Sequence, residues 1–240
     1  MHKGVIESSR GTIAARWIVS NREGGFSQPP YDSLNLASHV GDAPLAVAAN
    51  RAILADALEL SADRMVYPGL IHSTDVGWVD SPVGLFPNVD VLITSKRNIG
   101  LVTMGADCVP LIAVEPLTKV ALVAHIGWRG AADGIVETLI TSLSTAGADL
   151  SQTQVILGPS ICGNCYAVDA ERREAVLGVL PAAGTRSVSG LDLRDGIQAA
   201  LTAKKLKVSR VGGCTAEEPQ FFSHRRDGIT GRQAAAVVLS

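Results

Sequence analysis

Apolar positions run almost unbroken along the middle of the chain. Ile99–Met104, Val109–Val114 and Lys119–His125 read as three successive strands, each rich in β-branched residues. Shorter extended segments are predicted over about Met65–His72, Asp75–Asp80 and Asp90–Ser95, then Gln154–Leu157, and a closing strand over Ala234–Leu239. Helical periodicity is predicted from Asp42, read as an N-cap with Pro44 in the first turn, to about Leu58, with Leu45, Ala49, Ala52 and Ile53 as the apolar stripe. Further helices are predicted over Ala131–Ala146, ended by Gly147, and over Asp169–Leu180 and Leu193–Lys204. The first 40 residues read as an early strand followed by a long polar loop. Helices and strands mix without strict βαβ alternation, which predicts an α/β or α+β fold around a mixed sheet. No repeat or linker divides the chain, so residues 1–240 are read as one domain.

Composition narrows the classes. The 240 residues are 47% hydrophobic and 18% charged, which suits a compact protein rather than a disordered one. A net charge of −2 with scattered basic residues gives no reason to expect a nucleic acid or an anionic membrane as partner. No apolar run approaches the length of a membrane span, and Met1–Arg16 has no signal-peptide core, so a cytoplasmic location is expected. In that compartment Cys108, Cys162, Cys165 and Cys214 are free thiols or metal ligands rather than disulfides.

Candidate chemistry centres on the two middle strands. If Val109–Val114 and Lys119–His125 form a hairpin across Glu115–Thr118, Val114 pairs with Lys119 and Cys108 falls directly opposite His125. His72 ends another extended segment. Two His and one Cys suit tetrahedral zinc with a fourth position left for water, the catalytic rather than the structural arrangement. Such a zinc lowers the pKa of water toward about 7. The competing reading is a buried thiol and hydrogen-bonded histidines with no metal. Asp107 is the carboxylate nearest Cys108 in sequence, as a general acid/base or as a group that orients a ligand. Arg51, Arg129 and the pair Arg225–Arg226 are anion-binding candidates or ordinary surface arginines. Cys162-Gly163-Asn164-Cys165 has the spacing of a redox pair or half a zinc site, but no second C-x-x-C exists, so it reads better as a turn lining a pocket.

These residues, taken together, resemble a known family. The matching pieces are Ser33-Leu34-Asn35-Leu36 with His39-Val40-Gly41-Asp42, Asn50-Arg51, His72-Ser73, Ala106-Asp107-Cys108-Val109-Pro110, His125 with Gly127-Trp128-Arg129-Gly130, Gly158-Pro159-Ser160-Ile161, Cys165-Tyr166, Cys214-Thr215 and the segment Phe221–Arg232. The chain is similar over nearly its whole length to the YfiH-type family, long labelled multicopper polyphenol oxidoreductase (laccase-like). Its members are mostly described as zinc-dependent purine nucleoside phosphorylases with adenosine deaminase activity. The resemblance implies a single α/β domain of layered mixed β-sheets with flanking helices, and places the metal ligands on His72, Cys108 and His125. It implies Asn35 and Arg51 in the pocket, with Arg51 as a phosphate binder and Arg129, next to the metal loop in sequence, as a second candidate for phosphate, and adenosine, inosine, guanosine or methylthioadenosine with phosphate as substrates for a monomer or homodimer. Leu70, Ile126 and His224 stand where many members have Gln, Ala and Tyr, which bears on substrate choice. Three alternatives stay open: copper-dependent phenol oxidation, disfavoured because a multicopper site needs many histidines and the chain has five; a cell-wall peptide-editing role; and a non-enzymatic, zinc-stabilised binding protein.

Overall fold

The computed structural model describes residues 1–185 and 187–240. Its strands form two six-stranded mixed sheets. The first contains β1 (His2–Glu7), β2 (Ile13–Val19), β3 (Met65–Pro68), β5 (Leu85–Phe86), β7 (Gly100–Gly105) and β12 (Gln233–Leu239), in the order β1-β2-β12-β7-β3-β5. The second contains β4 (Val76–Trp78), β6 (Val91–Thr94), β8 (Val109–Glu115), β9 (Val120–Ile126), β10 (Gln154–Leu157) and β11 (Lys207–Arg210), in the order β11-β10-β8-β9-β6-β4. The helices are α1 (Pro44–Ala57), α2 (Trp128–Ala132), α3 (Ile135–Thr145), α4 (Ala170–Val179), α5 (Leu193–Ala203) and α6 (His224–Asp227). Among the described residues, no helix is long and apolar enough to cross a membrane.

The apolar runs are continuous because both faces of each sheet are covered. Leu101, Val237 and Leu239 of the first sheet meet Ile112, Val114, Ala121 and Val123 of the second in a shared core. The outer face of the second sheet (Leu111, Ala113, Leu122, Ala124) packs against α3 and α5 through Leu139, Leu143 and Ile197. The outer face of the first (Val102, Met104, Ala236) packs against Leu54 and Leu58 at the end of α1. The result is a helix–sheet–sheet–helix stack, the layered α/β architecture expected.

Several expectations need correction. The β8–β9 hairpin forms, but Glu115 pairs with Val120 and Pro110 with His125, so the register is two residues away from the one expected. The reason lies in the turn. The Glu115 carboxylate accepts the backbone N–H of Leu117 and of Thr118, and Lys119 has φ 57, which takes it out of the strand. A shift of two preserves side-chain parity, so Cys108 and His125 become diagonal neighbours on one face instead of an opposed pair. Asp42 is not the cap of α1; that position is Ala43, and the Asp42 side chain accepts from Ser27 and Asn35. The buried face of α1 is Val47, Asn50, Leu54 and Ala55, while Leu45 is 86% exposed. The helix expected over Ala131–Ala146 is two helices, broken at Gly134, whose φ of 84 is left-handed. The first 40 residues hold a hairpin of two strands, β1 and β2, where a single early strand is expected, and strands β5 and β11 and the short helix α6 are additional to the elements expected.

Candidate metal centre

The shared face of the two sheets ends in a cleft. Val123 and Ala121 of β9 point between the sheets, and His125 continues their alternation at the strand's end. Cys108 lies in the turn from β7 to β8, where Asp107 has φ 102. His72 sits in the turn after β3 with φ 62. One donor atom from each of His72, Cys108 and His125 lies within 4.8 Å of the others. The two imidazole rings meet edge to face with centroids 4.7 Å apart. Gly127 lies under the cluster: a Cβ there would come within 2.8 Å of His72 Cδ2 and 3.2 Å of Cys108 Sγ. A side chain at this position in the cradle would have to displace one of the two proposed ligands.

Asp90, just before β6, organises the cluster and is not suggested by the sequence. Its Oδ1 accepts from His125 Nδ1 at 2.8 Å, and its Oδ2 accepts the backbone N–H groups of Ile71 (3.1 Å) and Ser73 (2.7 Å), on either side of His72. Its backbone carbonyl also accepts the His125 N–H. With Nδ1 donating to Asp90, His125 offers Nε2 as its free lone pair. The one sequence signal for Asp90 is an acidic residue heading a fully buried strand, Val91–Thr94.

The electrostatics suit a cation. Burial opposes ionisation of Cys108, but His125 and His72 beside it outweigh that and hold the thiol at about 6. Burial likewise opposes charge on His125, but Cys108 and Asp90 raise it to about 9. Without metal the pair is therefore thiolate and imidazolium at neutral pH. Two imidazoles and a thiolate, held by an aspartate behind them and with room on one side, fit zinc with three protein ligands.

The cluster lines a cavity of about 390 Å³, together with His39, Leu70, Met104, Gly105, Ala106, His224 and Arg232. A neighbouring hollow shares His39, His224 and Arg232 and extends the cleft toward Ile229. The main cavity is in the range that holds a small organic ligand. His39 and Arg232 belong to motif segments, but the sequence alone does not single them out as site residues. Arg232 is tied back by its Nη1, which donates to Thr230 O and Gly231 O. Loss of water around the His39 ring, with Arg232 and Arg51 nearby, lowers its pKa.

The remaining sequence candidates fall elsewhere. Asp107 turns its carboxylate to Thr215 Oγ1, Ser223 Oγ and the Arg225 N–H, at 2.6–2.7 Å. Asn35 is fully buried, bonding Ala37, Asp42 and the Arg232 N–H. Arg51 donates to Leu36 O and stacks 3.9 Å over the Tyr67 ring, behind His39. Arg129 is exposed over Trp128 and does not line the cavity.

A cleft between two mixed sheets, floored by a His–Cys–His cluster with the spacing of metal ligands, defines an α/β class with a candidate metal site. The chain belongs to the multi-copper polyphenol oxidoreductase laccase family, whose sequence model matches residues 16–240. It is 39% identical over 239 residues to a purine nucleoside phosphorylase of Streptomyces coelicolor, covering 96% of this chain and 98% of that protein. It is 31% identical to the purine nucleoside phosphorylase YlmD of Bacillus subtilis, covering 91% and 86%. Among solved structures, YlmD from Geobacillus stearothermophilus superposes with a TM-score of 0.87 at 30% identity, covering 99% of both chains. The hypothetical protein YfiH from Bacillus licheniformis gives 0.88 at 27%, covering 95% and 96%.

Proposed function

We propose that the protein is a zinc-dependent purine nucleoside phosphorylase, with zinc held by His72, Cys108 and His125. The observation that carries this reading is the convergence of three metal-ligating atoms and the Arg232 guanidinium on one nucleoside-sized cavity. The names of the similar proteins point the same way.

In phosphorolysis a phosphate oxygen forms a bond to C1′, the C1′–N9 bond breaks, and the base leaves with the electron pair and takes up a proton. Arg232 holds the phosphate through charge-assisted hydrogen bonds, its guanidinium already anchored before the anion arrives. Arg51 adds positive charge from the layer behind His39 rather than direct contact. His39 stays neutral and accepts a proton from a phosphate or ribose hydroxyl. Leu70, Met104 and Ala106 form an apolar wall for the purine face. Bound zinc supplies a Lewis acid at the cavity floor. Asp107 acts as a positioning residue: its three hydrogen bonds fix the turn that carries Cys108.

The same pocket is proposed to deaminate adenosine, with water replacing the 6-amino group and ammonia leaving. Inosine, guanosine and methylthioadenosine belong to the same substrate class. All four cysteines are free, which supports a reducing, cytoplasmic setting. Copper-dependent phenol oxidation is the weaker reading, because the cluster contains only two of the five histidines. The test is incubation with adenosine or inosine, with and without phosphate, and resolution of the products. Free base and ribose 1-phosphate that form only with phosphate support phosphorolysis, and inosine formed from adenosine supports deamination. No conversion in either condition overturns the proposal.

A further inference from the structure

A second cluster of metal-ligating groups lies at the far end of strands β10 and β11. These two strands run parallel at the edge of their sheet, with Leu157 beside Arg210. Their pairing resumes further on at an isolated bridge between Ser160 and Cys214. Each chain then folds into a tight turn. The N–H groups of Cys165 and Tyr166 donate to Cys162 O, and those of Glu217 and Glu218 donate to Cys214 O. Each turn thus presents residues i and i+3 on one side: Cys162 with Cys165, and Cys214 with Glu217. One donor atom of each of the four lies within 4.8 Å of all the others.

We propose that Cys162, Cys165, Cys214 and Glu217 form a second, structural zinc site, separate from the His72–Cys108–His125 cluster. Structural zinc is held by four protein ligands, commonly on two C-x-x-C turns. Here Cys214-Thr215-Ala216-Glu217 is the second turn, with a carboxylate in place of the fourth thiolate. That substitution is why a search of the sequence for a second C-x-x-C finds nothing.

The spacing suits the ion. Tetrahedral zinc, with bonds of about 2.3 Å to sulfur and about 2.0–2.2 Å to oxygen, places its ligand atoms roughly 3.5–3.8 Å apart. Glu217 Oε1 lies 3.4 Å from Cys165 Sγ and 3.7 Å from Cys162 Sγ. The Cys162 backbone N–H donates to Cys214 Sγ at 3.3 Å, which fixes that sulfur toward the other turn. With all four positions supplied by protein, the site has no place for substrate. Its effect is to staple the 158–167 loop to the 211–218 loop.

That staple reaches the first centre. Ile161, next to Cys162, donates its N–H to Asp107 O, and Thr215, next to Cys214, donates its hydroxyl to Asp107 Oδ1. Arg225 bridges the same region through Cys165 O and Ala167 O. The second zinc therefore holds in place the residues that fix the Cys108 turn.

The test is metal content after expression with zinc and without a chelating tag, for wild type, Cys108→Ala and the double variant Cys162→Ser/Cys165→Ser. The proposal expects about two zinc ions per chain in wild type and about one in each variant, since each variant removes ligands from one site only. Zinc-edge X-ray absorption on Cys108→Ala, which keeps the second site whole, is expected to show three sulfurs and one oxygen. This arm stands even if the double variant does not fold, and it needs no catalytic activity. Zinc absent from Cys108→Ala, a sulfur-poor shell in that variant, zinc content unchanged between wild type and Cys162→Ser/Cys165→Ser, or a Cys162–Cys165 disulfide in protein purified with reductant overturns the proposal; one ion in wild type that persists in Cys108→Ala with three sulfurs counts against the first site only.

Discussion

Asp90 Oδ1 lies 2.8 Å from His125 Nδ1, and the Asp90 side chain is wholly buried. The other oxygen of the same carboxylate takes the N–H groups that flank His72, so one side chain sets the orientation of two proposed ligands. Asp90→Asn keeps the shape but cannot accept on both sides, because its amide –NH₂ must face either two backbone N–H groups or the imidazole N–H. Zinc affinity at the first site is expected to fall about 10–100-fold, as for other losses of a ligand's hydrogen-bond partner. Competition with a fluorescent chelator measures this. An unchanged affinity contradicts the role given to Asp90.

Zinc binding at that site is expected to depend on pH with a defined sign. Between about 6 and 9, Cys108 is already thiolate and His125 still imidazolium. A metal must take the His125 Nε2 lone pair, so it displaces one proton there, and apparent affinity rises about tenfold per pH unit across this window. Below pH 6 the Cys108 proton must also leave and the slope steepens; above 9 the His125 contribution vanishes. Chelator competition across this range reads the slope, and a flat profile from 6 to 9 contradicts the pairing.

Three arginines are expected to behave differently. Arg232→Gln removes the guanidinium that lines the cavity and is expected to raise the KM for phosphate roughly 10–100-fold, the scale of lost charge-assisted hydrogen bonds. Arg51→Gln is expected to have a smaller effect, since its Nε is committed to Leu36 O. Arg129→Ala is expected to leave KM for phosphate within about twofold, in line with ordinary exposed substitutions. Steady-state kinetics at varied phosphate decide the order, and a dominant effect at Arg129 contradicts the placement of phosphate.

Gly127→Ala tests the packing beneath the cluster. The added methyl meets His72 Cδ2 at 2.8 Å and Cys108 Sγ at 3.2 Å, so a ligand must move. The expected outcome is a folded protein with weakened zinc binding at the first site. Circular dichroism together with metal content checks it, and full zinc occupancy in a folded variant removes the cradle from the account.

The legible part of this chain was its centre. Strands β7, β8 and β9 are long apolar runs covered on both faces, and such runs announce themselves. Cys108 and His125 could be placed on one face because parity survives a register error of two. The error itself came from Glu115, whose carboxylate closes the turn in a way that periodicity does not record. The stripe of α1 was misread because its buried face carries Asn50, a polar residue held by Phe26, Ser27, Ser33 and Asn35. His72 rests mainly on family resemblance, since its one local signal, the end of an extended segment, is weak: β3 stops at Pro68 and His72 lies in the turn beyond it. Asp90, His39 and Arg232 are separated from the ligands by tens of residues and meet them only through sheet packing. Glu217 was hidden for a different reason: a carboxylate completing a cysteine turn has no motif of its own.

Zinc at His72, Cys108 and His125 is proposed to support phosphorolysis in this cavity. The most direct test strips metal from the wild-type protein, restores zinc alone in copper-free buffer, and measures release of hypoxanthine from inosine with and without phosphate. Phosphate-dependent release with ribose 1-phosphate as co-product, restored by zinc and absent from Cys108→Ala, is the expected result. Activity that returns only with copper, or a folded Cys108→Ala variant with wild-type turnover, would contradict it.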